Sequence, residues 1–123
     1  MRKIIIFGAG LGGRRANQCL RRGDKVIAFA DNNPNRQGEM FLGKKIMSPV
    51  SLAEGNFDGI LIASQYAPQI FQQLVELGID QKKIEVADYD IILGNYEVPS
   101  SFKWGVFATI ALLAAVVAAI IVL

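Results

Sequence analysis

Residues 3–7 read KIIIF, an apolar and mostly β-branched run, and the chain passes from it directly into GAGLGG. No other feature restricts the fold as tightly. A run without polar alternation suits a strand buried on both faces. The glycines that follow stand at Gly8, Gly10 and Gly13, in G-x-G-x-x-G spacing. In that pattern the first glycine permits a tight turn out of the strand and the second lets an anion approach the backbone. The third lets the next helix pack closely on the sheet. Exposed N–H groups and the positive end of the helix dipole make such a helix start an anion site.

The rest of the chain supplies a context in which this loop has a partner. A helix is predicted from about Leu11 to Arg22, with Ala16, Cys19 and Leu20 facing inward and Gly23 as its stop. Lys25–Ala30 (KVIAFA) reads as a second buried strand. Asp31 stands at its carboxyl end, 23 residues after Gly8, where a carboxylate can bond a ribose hydroxyl pair. Asn32 adjoins it. Residues 32–43 are turn-rich and polar, a short strand is predicted near Lys45–Met47, and Ser48-Pro49 is a helix start. Residues 60–63 (ILIA) form another strand. Pro68–Leu77 follows with Ile70, Phe71, Leu74 and Leu77 at helical spacing, and Gly78 closes it. Ile84–Ala87 is a last strand, and residues 88–103 have no assignment. The alternation predicts an α/β, Rossmann-like parallel sheet of about five strands in the order 3-2-1-4-5.

In an open parallel sheet the ligand lies beyond the carboxyl ends of the strands. Ser64 and Tyr66, which follow the ILIA strand, should therefore face the glycine loop: Ser64 could donate to phosphate and Tyr66 could stack on a base or sugar. A helix cap and a packing aromatic are the alternative roles. Arg14 and Arg15 put two cations in the first helical turn, against the dipole, at about a few tenths of a kcal/mol each when exposed. A bound phosphate would reverse that sign, and Arg14 joins the candidates; a solvated surface position is its other reading. The candidate binding residues are thus Gly8, Gly10, Gly13, Arg14, Asp31, Asn32, Ser64 and Tyr66, for NAD or a nucleotide-sugar.

Charge and chemistry narrow the function. The formal net charge of +2 is far from that of a nucleic-acid binder, so no nucleic-acid partner is expected. The chain has no histidine, the commonest general base near neutral pH, and its one cysteine, Cys19, fits a reducing compartment. The short-chain dehydrogenase pair Tyr-x-x-x-Lys is missing too: Tyr66, Tyr89 and Tyr96 are followed four residues on by Ile70, Leu93 and Ser100. No catalytic residue is assigned, and binding without turnover is the expectation. The opening MRKIIIFGAG is not read as a signal peptide, because its apolar run is short and ends in glycines and Arg14-Arg15.

Residues 104–123 hold no charged side chain, whereas all 13 Lys+Arg and 11 Asp+Glu lie in residues 1–103. As a helix this segment would span about 30 Å, the thickness of a hydrocarbon core. Trp104 suits the interface, and Lys103 before it places the folded part on the cytoplasmic side by the positive-inside rule. The predicted organisation is a nucleotide-binding domain over residues 1–98, a linker over 99–103 and a transmembrane helix over 104–123, at the inner membrane. Ala111, Ala115 and Ala119 repeat at a spacing that permits helix association, so a homo-oligomer is possible.

With IIIFGAGLGGRR, VIAFADNNPNRQG, FLGKKIMSP, and FDGILIASQY ahead of a helix ending ELGID, the chain up to about residue 87 resembles a family. It is similar to the small Rossmann domains of bacterial polysaccharide biosynthesis, found before nucleoside-diphosphate-sugar epimerase/dehydratases and sugar acyltransferases. The resemblance implies a nucleotide or nucleotide-sugar ligand and work beside glycan-biosynthesis enzymes. Unlike those proteins, residues 1–123 include no catalytic domain after the Rossmann unit. The combined reading is a membrane-tethered, non-catalytic binding module. Two alternatives stay open: a fragment of an NAD-dependent sugar-nucleotide oxidoreductase or epimerase, and the regulatory nucleotide-binding domain of a transport system.

Overall fold

The computed structural model describes residues 1–93. Six strands make one sheet: β1 (Arg2–Phe7), β2 (Asp24–Ala30), β3 (Met40–Phe41), β4 (Lys44–Met47), β5 (Gly59–Ile62) and β6 (Ile84–Val86). Three α-helices accompany them: α1 (Leu11–Gln18), α2 (Ala67–Glu76) and α3 (Tyr89–Leu93). The spatial order is β3-β4-β2-β1-β5-β6. The pairs β1–β2, β1–β5, β2–β4 and β5–β6 are parallel, and β3–β4 is antiparallel. The five expected strands therefore take the expected order, and the sheet is mixed rather than wholly parallel.

The sixth strand corrects the reading of residues 32–43 as a plain polar turn. Met40 and Phe41 pair with Lys45 and Lys44 across a two-residue turn in which Leu42 and Gly43 have φ of 51° and 80°. Two positive φ values mark a type I′ hairpin, whose usual Asn-Gly or Asp-Gly signature is hidden here by a leucine.

Alternation along β1 divides the core. Ile5 and Phe7 pack with Ala28, Ala30, Ile60, Ile62 and, from α2, Ile70 and Leu74. Ile4 and Ile6 face the other way, with Val26, Phe29, Ile46, Ala16 of α1 and Ile92 of α3. Both faces of β1 are covered, which is why its sequence shows no polar residue after Lys3. Each fully buried Ile or Phe contributes roughly 1.5–3 kcal/mol of transfer free energy, so the centre of the sheet is its most stable part.

Several boundaries differ from expectation. Helix α1 stops at Gln18, short of Arg22, and Cys19 donates its N–H to the Ala16 carbonyl as the helix closes. Gly23, at φ 90°, turns the chain into β2 instead of capping the helix. The segment opened by Ser48-Pro49 is a single 3-10 turn, Val50–Glu54, that buries only Leu52. Helix α2 closes as expected: Gly78 has φ 90°, its N–H meets the Val75 carbonyl, and Ile79 N–H meets the Leu74 carbonyl. This is the Schellman arrangement. Residues 88–93, unassigned from sequence, contain α3. No helix among the described residues is long and apolar enough to cross a membrane. The predicted linker 99–103, the transmembrane segment 104–123 and the domain boundary at residue 98 lie outside the described residues.

Candidate functional site

The crevice at the carboxyl ends of β1, β2 and β5 begins at Gly8. This residue has φ 125°, and a Cβ on it would lie 2.6 Å from the Ala63 carbonyl oxygen. Only glycine fits there, on both counts. Gly13 lies buried beneath the loop, where a Cβ would collide with the carbonyl oxygen of Gly8, so the helix is drawn against the strand–loop junction. Gly10 is different. It is the exposed N-cap of α1 with φ −123°, and a Cβ on it would meet nothing within 4 Å. Its bareness is required by nothing in the fold. No side chain caps α1, so the N–H groups of its first turn have no acceptor from the cap.

Gly12 was missed by the motif, which treats its position as variable. A Cβ there would lie 2.7 Å from the Ala63 carbonyl oxygen and 3.4 Å from Ile92 Cγ2. The chain thus needs glycine at 8, 12 and 13 to bring β1, α1, β5 and α3 together. It keeps Gly10 for open space.

Asp31 stands beside this loop. One carboxylate oxygen accepts the Ala9 N–H at 2.9 Å and the other accepts the Asn33 N–H at 2.8 Å. The acid holds the glycine loop and the β2–β3 connection in register, and lone pairs remain on both oxygens for a ligand hydroxyl. Asn32 sits next to it, but its amide is engaged: it donates to Gln73 Oε1 at 3.0 Å and accepts from Gln73 Nε2 at 2.8 Å. On the facing side, Ser64 Oγ accepts the Tyr66 N–H at 3.1 Å, and Tyr66 is 68% exposed at the rim.

These residues line two hollows that share part of their walls. The larger, about 540 Å³, is bounded by Gly8, Gly10, Gly12, Arg15, Asp31, Ser64, Tyr66, Ile92 and Leu93 among others. The smaller, about 300 Å³, lies toward α2 and adds Asn32, Gln69, Ile70 and Gln73 while sharing Gly8, Asp31, Ser64 and Tyr66. Volumes of this order suit small-molecule ligands.

The structure brings Gly8, Gly10, Asp31, Asn32, Ser64 and Tyr66 to this crevice and sets Gly13 under it. Arg14 is the exception and a correction. Its guanidinium lies over the Phe41 ring, 5.3 Å from the centroid, and it borders neither hollow. A residue one position later points about 100° away around a helix. Arg15 is accordingly the arginine on the cleft wall. Sequence spacing could have found it only if the helix phase had been fixed by the burial of Gly13 and Ala16.

At the amino ends of the strands the surface has another character. Arg2 and Arg21 form ion pairs with both Asp24 and Glu85, at 2.9 to 3.7 Å. Next to them Cys19 borders a hollow of about 200 Å³. Burial pushes the Cys19 thiol up, which leaves it a poor nucleophile at neutral pH. Lys83, just before the last strand, sits at this end too, donating to the Phe57 carbonyl at 3.3 Å.

Comparison with known proteins places this geometry. The family model described as C2185-like, N-terminal, matches residues 1–85. UDP-D-quinovosamine 4-dehydrogenase from Vibrio fischeri superposes with a TM-score of 0.57 at 24% identity, covering 78% of this chain and 87% of that one. RSP, a Rex-family repressor, superposes with a TM-score of 0.52 at 18% identity, covering 91% of this chain and 62% of its own. RSP in complex with β-NAD+ and operator DNA gives a TM-score of 0.53 at 16% identity, over 86% of this chain and 57% of that one. The chain thus spans about three fifths of the length of RSP. At these identities the likeness establishes the fold, which is Rossmann-type. None of the curated proteins matches the chain.

Proposed function

The chain belongs to the C2185-like N-terminal family, and on that footing we propose that its crevice binds a nucleotide through its diphosphate and ribose, without turning it over. One observation carries the reading: Gly10, the only glycine of the loop-to-helix junction that the packing does not demand, borders the same cleft as Asp31, Ser64 and Tyr66. The bare backbone at Gly10 and the first-turn N–H groups would receive the diphosphate. Asp31 would accept from the ribose hydroxyls, and Tyr66 offers a ring to a base or sugar. NAD and nucleotide-sugars are the ligand classes. RSP is named with β-NAD+, and the Vibrio enzyme acts on a UDP-sugar; both support the choice of probes.

Calorimetric titration of the full chain in detergent with ADP, UDP and NAD tests this. At least one should bind, and Gly10→Val should abolish the binding by filling the diphosphate position with branched carbons. Unchanged affinity in a folded Gly10→Val protein would remove the diphosphate from the loop.

The wider setting is part of the same proposal and rests on sequence. Residues 104–123 would anchor the domain on the cytoplasmic side of the inner membrane, where it would serve glycan-biosynthesis enzymes. Release of the full chain by alkaline carbonate would overturn the anchor. Operator DNA is a partner of RSP, of which this chain spans 57%; the proposal includes no DNA partner, because the net charge of +2 offers no basic field for one.

A further inference from the structure

We infer that Arg15 is the side chain that recognises the ligand's diphosphate, held ready for it by the end of α3; the inference rests on the nucleotide reading above. Arg15 Nη1 donates to the Ile92 carbonyl at 2.7 Å, across a sequence distance of 77 residues. The guanidinium is thereby fixed between α1 and α3, on the wall of the cleft that also holds Gly10, Gly12 and Asp31. A guanidinium carries five N–H donors in a rigid fork, and one bond to a carbonyl leaves the rest unspent.

The charges in the cleft point the same way. Among the described residues no carboxylate forms an ion pair with Arg15: the acids Asp24, Glu39 and Glu85 pair with Arg2, Arg21 and Arg36. Asp31 is the other charged group lining the cleft, and backbone N–H groups already engage both its oxygens. Arg15 and the uncapped start of α1 together make that side of the cleft electropositive. A planar fork on the wall of the cleft that Gly10 and Gly12 also line matches the oxygens of a phosphate, which arginine binds through two parallel bonds. Arg14, its neighbour in sequence, is turned away onto Phe41 and provides the internal control.

The experiment compares the diphosphates ADP, UDP and NAD with adenosine and uridine, titrated calorimetrically into the full chain and into its Arg15→Gln, Arg15→Lys and Arg14→Gln variants. Arg15→Gln should weaken the diphosphates by a factor of roughly 10–100, the usual range for a charge-assisted bond, while changing nucleoside affinity less than about twofold. Arg15→Lys, which keeps the charge but lacks the fork, should fall between, and Arg14→Gln should match the parent chain. The inference fails if Arg15→Gln leaves diphosphate affinity unchanged, or if it weakens nucleosides by the same factor, the mark of a purely structural role. It fails equally if Arg14→Gln does the same damage. Failure of the parent chain to bind any of the five compounds would overturn both this inference and the nucleotide reading beneath it. A parent that binds alongside an insensitive Arg15→Gln overturns Arg15 alone.

Discussion

At the scale of single residues, four glycines in a row of six positions have two different reasons to exist. Gly8 and Gly13 answer to backbone geometry, and so does Gly12, since a Cβ at any of them meets a carbonyl oxygen. Gly10 answers to none of the described neighbours. Gly10→Val should therefore fold: valine is a poorer N-cap than glycine by about 1 kcal/mol or less, a fall of roughly 4–8 °C in Tm for a domain this small. A thermal melt by circular dichroism checks this, and a cooperative transition in that range makes lost binding attributable to the ligand's space. The motif's spacing made Gly8, Gly10 and Gly13 legible in sequence. It could not show Gly12, whose constraint comes from Ala63 more than fifty residues away, nor choose between Arg14 and Arg15. That choice depends on helix phase, and a helix with one buried alanine and one buried glycine has too weak an apolar stripe to fix it.

At the scale of elements, what the sequence showed and what it hid follow from length. The buried strands of the sheet centre are apolar runs between turn residues, and their order is that of a Rossmann-like alternation with right-handed crossovers. The β3–β4 hairpin was invisible because two residues cannot display a period and because Leu42 occupies a position that favours Asn or Gly. That leucine is a strained choice: it sits at φ 51° and stays 39% exposed. An L-residue in the left-handed region costs roughly 1–2 kcal/mol, and asparagine recovers part of this. Leu42→Asn should raise the stability by about 0.5–1 kcal/mol, read as an upward shift in the denaturant midpoint with an unchanged m-value. A lower midpoint would mean that the leucine side chain contributes packing that outweighs its backbone. Helix α3 was hidden for a related reason. Its five residues are too few to show a helical period, although Asp88 caps them by accepting the Asp90 N–H at 3.0 Å, and they supply the carbonyl that holds Arg15.

Across the whole molecule the sheet has two unlike ends. The carboxyl end gathers the glycine loop, Asp31 and Arg15, while the amino end is tied by Arg2, Arg21, Asp24 and Glu85. This division makes the amino end a place where stability can be altered without touching the crevice. The hydrogen bond from Arg2, opposed by partial desolvation and reinforced by the charges of Arg2 and Arg21, holds the Asp24 carboxyl below its ordinary range. A carboxylate whose folded pKa lies below its unfolded value stabilises the fold above the unfolded pKa of about 3.9. It loses that contribution as pH falls through the folded value. Arg2 is raised in turn, but it stays protonated across the accessible range and adds no pH dependence there. Asp24→Asn should thus be less stable than the parent at pH 6–7, by a modest amount because the network is partly exposed. The two proteins should converge as the pH is lowered through the range below about 4. Urea unfolding of both proteins at a series of pH values measures the difference directly. A gap that stays constant down to the acid limit would mean that Asp24 acts through its shape and hydrogen bonding rather than through its charge. Nucleotide binding in Asp24→Asn should match the parent at neutral pH, because the substituted residue stands at the far end of the strand from Asp31.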